Sequence, residues 1–270
     1  MVGARRGEVD APAIMDEVDM HRAFKDALLL SLVLPLAACS GGGNLALPAT
    51  PPGMGGGQNQ DMADAASRKA AGFTETWSEF TPNVAWLDGS VHDRWIDWWN
   101  GYGTIAVVKQ AASEEALQLA PFAATPAGHS ALVTSSAVLA DFTAMVAITT
   151  RRQLSDAPSP WEVGWLLWHF SDNLHFYAFT PQPNGWELSK EDPAYPGNQR
   201  FLATASQPAF PVGKTYSVRV VQRAATMSVW VNGVLICAYV DRERPYLSGD
   251  LGLYSEEANV EIGLVTVESP

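Results

Sequence analysis

The sequence has few cysteines, few charges and no long apolar run, and each shortage excludes a class of protein. The 270 residues contain two cysteines and only 17% charged residues. The net charge is −12 and the cations form no run, which disfavours nucleic-acid binding because phosphate neutralisation needs clustered Lys and Arg. The apolar stretch Ala27–Leu36 is shorter than the ~20 residues of a membrane-spanning helix.

Motifs for several kinds of chemistry are also missing. The chain contains no Gly-rich phosphate loop and no Gly-x-Ser-x-Gly turn, so nucleotide binding and α/β-hydrolase chemistry have no support. Its five histidines lack the Cys/His spacing of zinc sites. No long amphipathic helical pattern is present, and Ser113–Leu119 is predicted to form at most a turn or two of helix.

The N-terminal region has the anatomy of a signal peptide. His21, Arg22 and Lys25 precede the apolar run, and small residues follow it, as in secretory signals. The ending Leu36-Ala37-Ala38-Cys39 resembles the lipobox of bacterial lipoproteins. That resemblance implies lipidation of Cys39 and a membrane attachment through the lipid alone; ordinary secretion with cleavage nearby is the alternative.

These features divide the chain into three parts. Residues 1–39 are predicted to be the signal peptide, with translation starting at Met20 because residues 1–19 are acidic rather than basic. Residues 40–70 are rich in Gly and Pro and are predicted to be a flexible tether. Residues 71–270 are the predicted domain. Ser40 follows the lipid site, which by resemblance to enterobacterial sorting favours an outer-membrane lipoprotein facing the periplasm or the cell exterior.

The domain is predicted to be all-β. Segments rich in β-branched and aromatic residues alternate in character and end at turn-forming residues, and Asn232-Gly233 is a strong hairpin signal. Many short strands favour a jelly-roll β-sandwich of two antiparallel sheets. The predicted strands are Ala131–Ala137, Phe142–Thr149, Val163–Phe170, Leu174–Thr180, Tyr216–Gln222, Thr226–Val231 and Leu235–Val240.

A predicted hairpin over Trp165–Thr180 determines which side chains share a face. With a turn at Asp172-Asn173, Trp168 opposes Tyr177, Leu166 opposes Phe179 and Phe170 opposes His175. That set mixes aromatic rings with polar tips and is predicted to face a ligand. The other set is predicted to be core, apart from His169; it comprises Trp165, Leu167, His169, Phe176 and Ala178.

The C-terminal run TMSVWVNGVLICAYVDRERPYLSGDLGLYSEEANVEIGLVTV resembles the closing strands of concanavalin A-like jelly rolls. It is most similar to their laminin-G-like and 3-keto-disaccharide hydrolase-like members, in which a Gly-Leu-Tyr strand precedes a final edge strand. The resemblance implies the fold and a carbohydrate-directed role, although this fold hosts both binding proteins and enzymes. Laminarinase- and agarase-type members carry Glu-x-Asp-x-(x)-Glu, which is absent here, so a retaining glycosidase of that type is disfavoured.

A polysaccharide or oligosaccharide is therefore the predicted partner, bound or cleaved at the aromatic and polar hairpin face. The enzyme version is a polysaccharide lyase or glycoside hydrolase, with His175 and Tyr177 as base and acid and Lys190 or Arg200 neutralising a substrate carboxylate. The candidate catalytic residues are His175, Tyr177, Glu187 and Lys190, and the candidate ligand-binding residues are Trp168, Trp186, His169 and Arg200. The alternatives are a sandwich core with polar rim residues, and a structural or protein-interaction envelope lipoprotein without glycan activity.

Three further features of the sequence allow a structural or a functional interpretation. A structural calcium ion is one reading of the acidic residues, with solvated loops as the other; they are Asp88, Asp93, Asp97, Glu256, Glu257 and Glu261. The Trp-rich segment Trp86–Tyr102 either stacks on a ligand or, as we expect, plugs one end of the sandwich. Cys237 is predicted to be a small core residue rather than a nucleophile.

Overall fold

The computed structural model describes residues 72–110, 114–123 and 129–270. Over these residues the chain forms sixteen β-strands and no helix, as its β-branched and aromatic composition favours. The strands are β1 (Phe73–Glu75), β2 (Val91–His92), β3 (Trp95–Trp99), β4 (Thr104–Lys109), β5 (Glu115–Ala120), β6 (Ser130–Ser135), β7 (Phe142–Gln153), β8 (Gly164–Asp172), β9 (His175–Gln182), β10 (Gly185–Glu191), β11 (Gln199–Ala205), β12 (Thr215–Arg223), β13 (Thr226–Val231), β14 (Val234–Val240), β15 (Asp250–Glu256) and β16 (Ala258–Glu268).

The strands form two eight-stranded antiparallel sheets. The front sheet has the order β11-β10-β9-β8-β15-β6-β3-β2, and the back sheet has the order β14-β13-β12-β7-β16-β5-β4, with β1 paired to β16. The first and last strands of the described residues therefore lie side by side in the back sheet. This architecture confirms the prediction of an all-β jelly-roll sandwich of two antiparallel sheets.

The main hydrophobic core lies between the two sheets. Along β7, the side chains of Phe142, Ala144, Val146 and Ile148 alternate inward and are buried, because successive residues of a strand point to opposite faces. The same core contains residues of the front sheet such as Leu188. A second buried cluster lies on the outer face of the front sheet, the face turned away from the back sheet.

Two of the detailed expectations for the back sheet are wrong. The last strand was predicted to be an edge strand, but β16 lies between β7 and β5. The reason is that β4 and β5 extend the sheet beyond β16. The described part of the predicted helical turn, Glu115–Leu119, belongs to β5, since pairing with β4 and β16 overrides its helix-favouring composition. The Asn232-Gly233 turn is confirmed, with φ values of 51° and 80°.

The front hairpin has the predicted register only at its base. Trp168 pairs with Tyr177, but beyond it the register shifts, so that His175 pairs with Asp172 and not with Phe170. The shift follows a bulge at His169, whose φ is 51°. Gly249 packs against this bulge so closely that a Cβ atom there would lie 2.4 Å from the carbonyl carbon of His169. Phe170 is thereby turned to the outer face.

The predictions for the N-terminal region lie outside the described residues. They are the signal peptide over 1–39, the lipidated Cys39 and the tether over 40–70. Within the described ranges, no helix is long and apolar enough to cross a membrane.

Candidate functional site

The hairpin face that was predicted to meet a ligand lies inside the sandwich. Trp168 and Tyr177 are fully buried in the core between the sheets. The indole Nε1 of Trp168 donates a hydrogen bond of 3.1 Å to Oε1 of Gln222. The predicted facing of this set is therefore wrong. Both faces of the hairpin carry aromatic rings, and the polar tips that favoured exposure are satisfied by partners within the core.

Tyr177 and Lys190 share one buried carboxylate. The Tyr177 hydroxyl donates to Oδ2 of Asp241 at 2.7 Å, and Nζ of Lys190 donates to the same oxygen at 2.8 Å. Lys190 also donates to the carbonyl oxygens of Glu243 and Arg244. The neighbouring donors hold the pKa of Asp241 below its usual range despite burial, and burial together with Asp241 raises the pKa of Tyr177. This network fastens the segment after β14 to the front sheet.

His169 and Trp186 are also interior residues. The ring nitrogens of His169 lie 2.7 Å from the carbonyl oxygen of Tyr246 and 2.9 Å from that of Ala140, and burial lowers the pKa of the imidazole. Nε1 of Trp186 donates to the carbonyl oxygen of Gln207, and the ring packs in the inter-sheet core. Neither side chain is placed to bind a ligand as predicted.

His175 and Arg200 are partly exposed, but each has an acidic partner. Nδ1 of His175 lies 2.7 Å from Oδ1 of Asp172 in the hairpin turn, and Arg200 lies 2.7 Å from Oε2 of Glu243. The predicted lyase pair is wrong because the hydroxyl of Tyr177 is buried and bound to Asp241. Lys190 is equally unable to neutralise a substrate carboxylate, since its ammonium group is fully buried.

Of the eight candidates, Glu187 alone points from a strand of the front sheet to its outer face. On β10 the inner residues Trp186 and Leu188 belong to the main core, so the alternating residues Glu187, Ser189 and Glu191 face outward. Their partners on β9 are Thr180, Ala178 and Phe176. The outer face therefore carries two carboxyl groups on one strand, separated by a serine.

The strand register arranges this outer face in three rows that run across the strands. The middle row is composed mainly of small side chains, whereas the first and third rows carry aromatic rings and carboxyl groups. The first row is Leu132, Tyr254, Trp165, Thr180, Glu187 and Thr204; the middle row is Thr134, Gly252, Leu167, Ala178, Ser189 and Phe201; the third row is Asp250, Phe170, Phe176, Glu191 and Gln199.

The two flanking rows are built on aromatic pairs. In the first row, the rings of Trp165 and Tyr254 lie 5.2 Å apart in an edge arrangement. In the third row, Phe170 stacks on Phe176 with centroids 5.9 Å apart, and Trp98 meets the edge of Phe170 at 5.4 Å. The middle row with its small side chains thus lies between two rows with larger side chains; we call this three-row face the front trough, with the middle row as its floor and the flanking rows as its walls.

Several polar atoms of the front trough are buried without a hydrogen-bond partner. They are Oγ1 of Thr180, Oε1 of Glu191 and Oε1 of Gln199, and these residues are 1%, 2% and 3% exposed. Most buried polar groups in proteins are paired. Three unpaired groups on one face, in the part of the chain that the structure describes, indicate a site that is completed by another molecule.

Burial also raises the pKa of the carboxyl groups on this face. The pKa of Glu187 is raised to about 7 and that of Glu191 to about 8. Burial likewise raises the pKa of Asp250 to about 7, against a hydrogen bond from Thr134 that lowers it. These groups are therefore partly protonated near neutral pH, so that each is able to donate as well as accept a hydrogen bond.

The Trp-rich segment is divided between the core and the outer face. Trp86 and Trp95 belong to the main core, but Trp98 is 40% exposed and donates to Oγ1 of Thr134. Trp99 donates to Oγ of Ser130 and packs on the outer cluster. The expectation of a plug at one end is incomplete, because β3 delivers two of the four rings to the edge of the front trough.

The acidic residues that suggested calcium do not converge. Within the described ranges, no three His, Cys, Asp or Glu side chains are grouped as metal ligands. Glu261 pairs with Arg151, and Glu257 accepts from Ser155. Asp97 is buried without a partner, and burial together with Asp88 raises its pKa to about 7. The reading of these residues as a calcium site therefore has no support among the described residues.

The sequence contains a pattern that indicates the outer face of β10. The period-two pattern of Glu187, Ser189 and Glu191 is typical of one strand face, and it has Ser189 where the laminarinase-type motif has Asp. The contributions of β8, β9 and β15 to the same face were hidden, because Trp165, Leu167 and Phe176 are as apolar as core residues.

The chain matches no protein-family model and no curated protein. Similar solved structures include a carbohydrate-binding module from Bacillus subtilis, at 18% identity and a TM-score of 0.49, covering 70% of this chain and 99% of that one. The Crh5 transglycosylase has 9% identity and a TM-score of 0.49, with 74% and 85% covered. A family 16 endo-glucanase from Bacteroides ovatus has 8% identity and a TM-score of 0.47, with 72% and 99% covered.

Proposed function

We propose that this protein binds a polysaccharide in the front trough. Sugars present C–H patches to aromatic rings and hydroxyl groups to carboxyl, amide and hydroxyl side chains. The trough offers both, since each wall combines aromatic rings with a carboxyl group: Trp165 and Glu187 in the first row, Phe176 and Glu191 in the third.

The observation that carries the proposal is the set of unpaired buried polar atoms. An unsatisfied buried group costs roughly 1–3 kcal/mol. A chain that places polar atoms of Thr180, Glu191 and Gln199 on one face without partners is therefore less stable than a chain with apolar residues there. Ligand hydroxyl groups would supply the missing partners, and binding would recover this free energy.

The size of the trough favours a chain of sugars over a single one. Its rows cross from β15 through β8, β9 and β10 to β11, and neighbouring strands are roughly 4.8 Å apart. The rows are thus on the order of 19 Å long over these four intervals, which is sufficient for several sugar units.

Affinity electrophoresis of the full chain in gels containing a panel of polysaccharides tests the proposal. At least one polysaccharide should retard the protein. Glu191→Gln keeps the shape of the side chain but removes the carboxyl group, and it should weaken that retardation by about tenfold. Glu115→Gln, on the back sheet, is the matched control and should bind as the unaltered protein does.

Two outcomes would contradict the proposal. Equal binding by Glu191→Gln and Glu115→Gln would place the glycan elsewhere. No retardation by any polysaccharide would favour the alternative function, an envelope lipoprotein that uses the sandwich for protein contacts.

Hydrolysis of the bound glycan is a second candidate, favoured by the two carboxyl groups on β10. A general acid needs a pKa near the working pH, and burial raises those of Glu187 and Glu191 to about 7 and about 8. Release of new reducing ends from a retarding polysaccharide, abolished in both Glu187→Gln and Glu191→Gln, would support hydrolysis. Binding without product would leave the protein a binding module.

The cellular setting belongs to the same proposal. We infer that Cys39 is lipidated and holds the domain at the outer membrane, facing the periplasm or the exterior, because the chain has a lipobox-like Leu36-Ala37-Ala38-Cys39 followed by Ser40. We also propose that the domain is related to the laminin-G-like and 3-keto-disaccharide hydrolase-like jelly rolls, because its closing strands resemble theirs. Cys39→Ser should move the protein from the membrane fraction to the soluble fraction.

A further inference from the structure

The outer face of the front sheet carries carboxyl groups and, among its described strand residues, no Lys or Arg. Four carboxyl-bearing residues share this face: Asp250 and Glu256 on β15, and Glu187 and Glu191 on β10. Asp250, Glu187 and Glu191 lie in the walls of the front trough, and Glu256 lies beyond the first row on β15.

The two cations of these strands point the other way. Lys190 pairs with Arg200 across β10 and β11, and both alternate to the inner side of the sheet. Lys190 is fully buried against Asp241 at 2.8 Å, and Arg200 lies 2.7 Å from Glu243. Neither is free to meet an anionic ligand, which reverses the expectation that these two residues would bind a substrate carboxylate.

We propose that the front trough selects neutral sugar units and excludes acidic glycans such as uronates and sulfated polysaccharides. This inference rests on the proposed function, since it specifies the ligand of the same site. A ligand carboxylate or sulfate in the trough would lie beside the carboxyl groups of Glu187 and Glu191 without a compensating cation from the strands, and like charges repel most strongly where water is excluded.

The groups beside the carboxyls also favour neutral sugar units. They are a hydroxyl on Thr180 and amide groups on Gln182 and Gln199, which match sugar hydroxyl groups in both donor and acceptor roles.

The test uses matched polysaccharides that differ in charge but share a backbone. Suitable pairs are hydroxyethylcellulose with carboxymethylcellulose, laminarin with sulfated laminarin, and dextran with dextran sulfate. In affinity electrophoresis of the full chain at low salt and at about pH 9, above the raised pKa values of Glu187 and Glu191, a neutral member should bind at least about tenfold more tightly than its acidic partner. The ratio should fall as salt is added, because ions screen the repulsion.

Variants separate local repulsion from the effect of the net charge of −12. The double variant Glu187→Gln/Glu191→Gln removes both carboxyl groups of β10 and should bring the neutral-to-acidic ratio close to one. Glu114→Gln/Glu268→Gln changes the net charge equally at two exposed positions, just before β5 and on β16 of the back sheet, and should leave the ratio unchanged.

The outcomes distinguish the inference from the function on which it rests. Binding of an acidic polysaccharide more tightly than its neutral partner would overturn the selectivity while leaving glycan binding established. If the neutral-to-acidic binding ratio changed equally in the two double variants, the selectivity would be due to net charge, and this result would also overturn the inference. Failure of every polysaccharide to bind would overturn the proposed function itself.

Discussion

Because the hydroxyl of Thr180 is unpaired, one substitution at this residue should change stability and glycan affinity in opposite directions. Oγ1 of Thr180 is buried and has no hydrogen-bond partner. Thr180→Val replaces this hydroxyl with a methyl group of nearly the same shape, so the folded protein should lose an unsatisfied polar group and gain apolar contact with its neighbours. We therefore expect the ligand-free variant to be more stable and the glycan affinity to be lower.

The size of the stability change follows from the burial of the group. Removing an unsatisfied buried hydroxyl should stabilise the folded state by about 1 kcal/mol or more, which for a domain of this size corresponds to an increase in Tm of about 2–4 °C. The matched control is Thr149→Val, because Oγ1 of Thr149 is bonded to Oγ1 of Thr215 at 2.7 Å on the back sheet. That variant should lose about 1 kcal/mol.

Urea denaturation of the unaltered protein and the two variants measures both changes. Glycan affinity is measured on the same preparations by affinity electrophoresis. A Thr180→Val variant that is stabilised but binds glycan as before would show that the unpaired hydroxyl does not contact the ligand. A Thr180→Val variant that is as destabilised as Thr149→Val would show that the hydroxyl is paired, and the reasoning from unsatisfied groups would be wrong.

Four further predictions concern the rest of the chain. Lys190→Met should destabilise the protein by about 3–5 kcal/mol in urea denaturation, because it leaves the carboxylate of Asp241 buried without its cation; a loss below about 1 kcal/mol would refute the assigned network. Cys237 should react with thiol reagents far more slowly in the native than in the denatured protein, since burial raises its pKa to about 11, and rapid native labelling would contradict this. The folded-state pKa of Glu191 is raised, to about 8, so the folded state binds more protons and the free energy of unfolding should fall as pH rises from about 4.5 to about 8; Glu191→Gln should flatten that decline, and an unchanged slope would show that Glu191 is solvated. Cys39→Ser should remain in the soluble fraction after cell disruption, and retention in washed membranes would rule out the lipid anchor.

The fold was predictable from the sequence because its signals are local. Strand segments such as Thr226–Val231 have alternating β-branched and aromatic residues, and the Asn232-Gly233 turn requires positive φ values. The position of β16 was not predictable in the same way, since the two strands that flank it in the sheet, β7 and β5, come from distant parts of the chain. A resemblance confined to the closing strands carries no information about those partners.

The site was harder to predict, because the alternation along the hairpin identified two faces without saying which was inner. Trp168 and Trp165 are on opposite faces, and both are aromatic with one polar nitrogen. The polar tip of Tyr177 suggested exposure, but Asp241, far away in sequence, satisfies it in the core. Only the structure reveals that partner, and with it the assignment of Glu187 and Glu191 to the outer face.

The most direct test of the central claim uses the side-chain amide groups of the protein as reporters in nuclear magnetic resonance. Gln182 and Gln199 lie on the outer face, where Gln182 neighbours Glu187 and Oε1 of Gln199 is unpaired, whereas Gln222 is buried and bonded to Trp168 between the sheets. On titration with a neutral polysaccharide that retards the protein, the signals of the Gln182 and Gln199 amide groups should shift and that of Gln222 should not. Shifts confined to back-sheet residues, with Gln182 and Gln199 unchanged, would contradict the account.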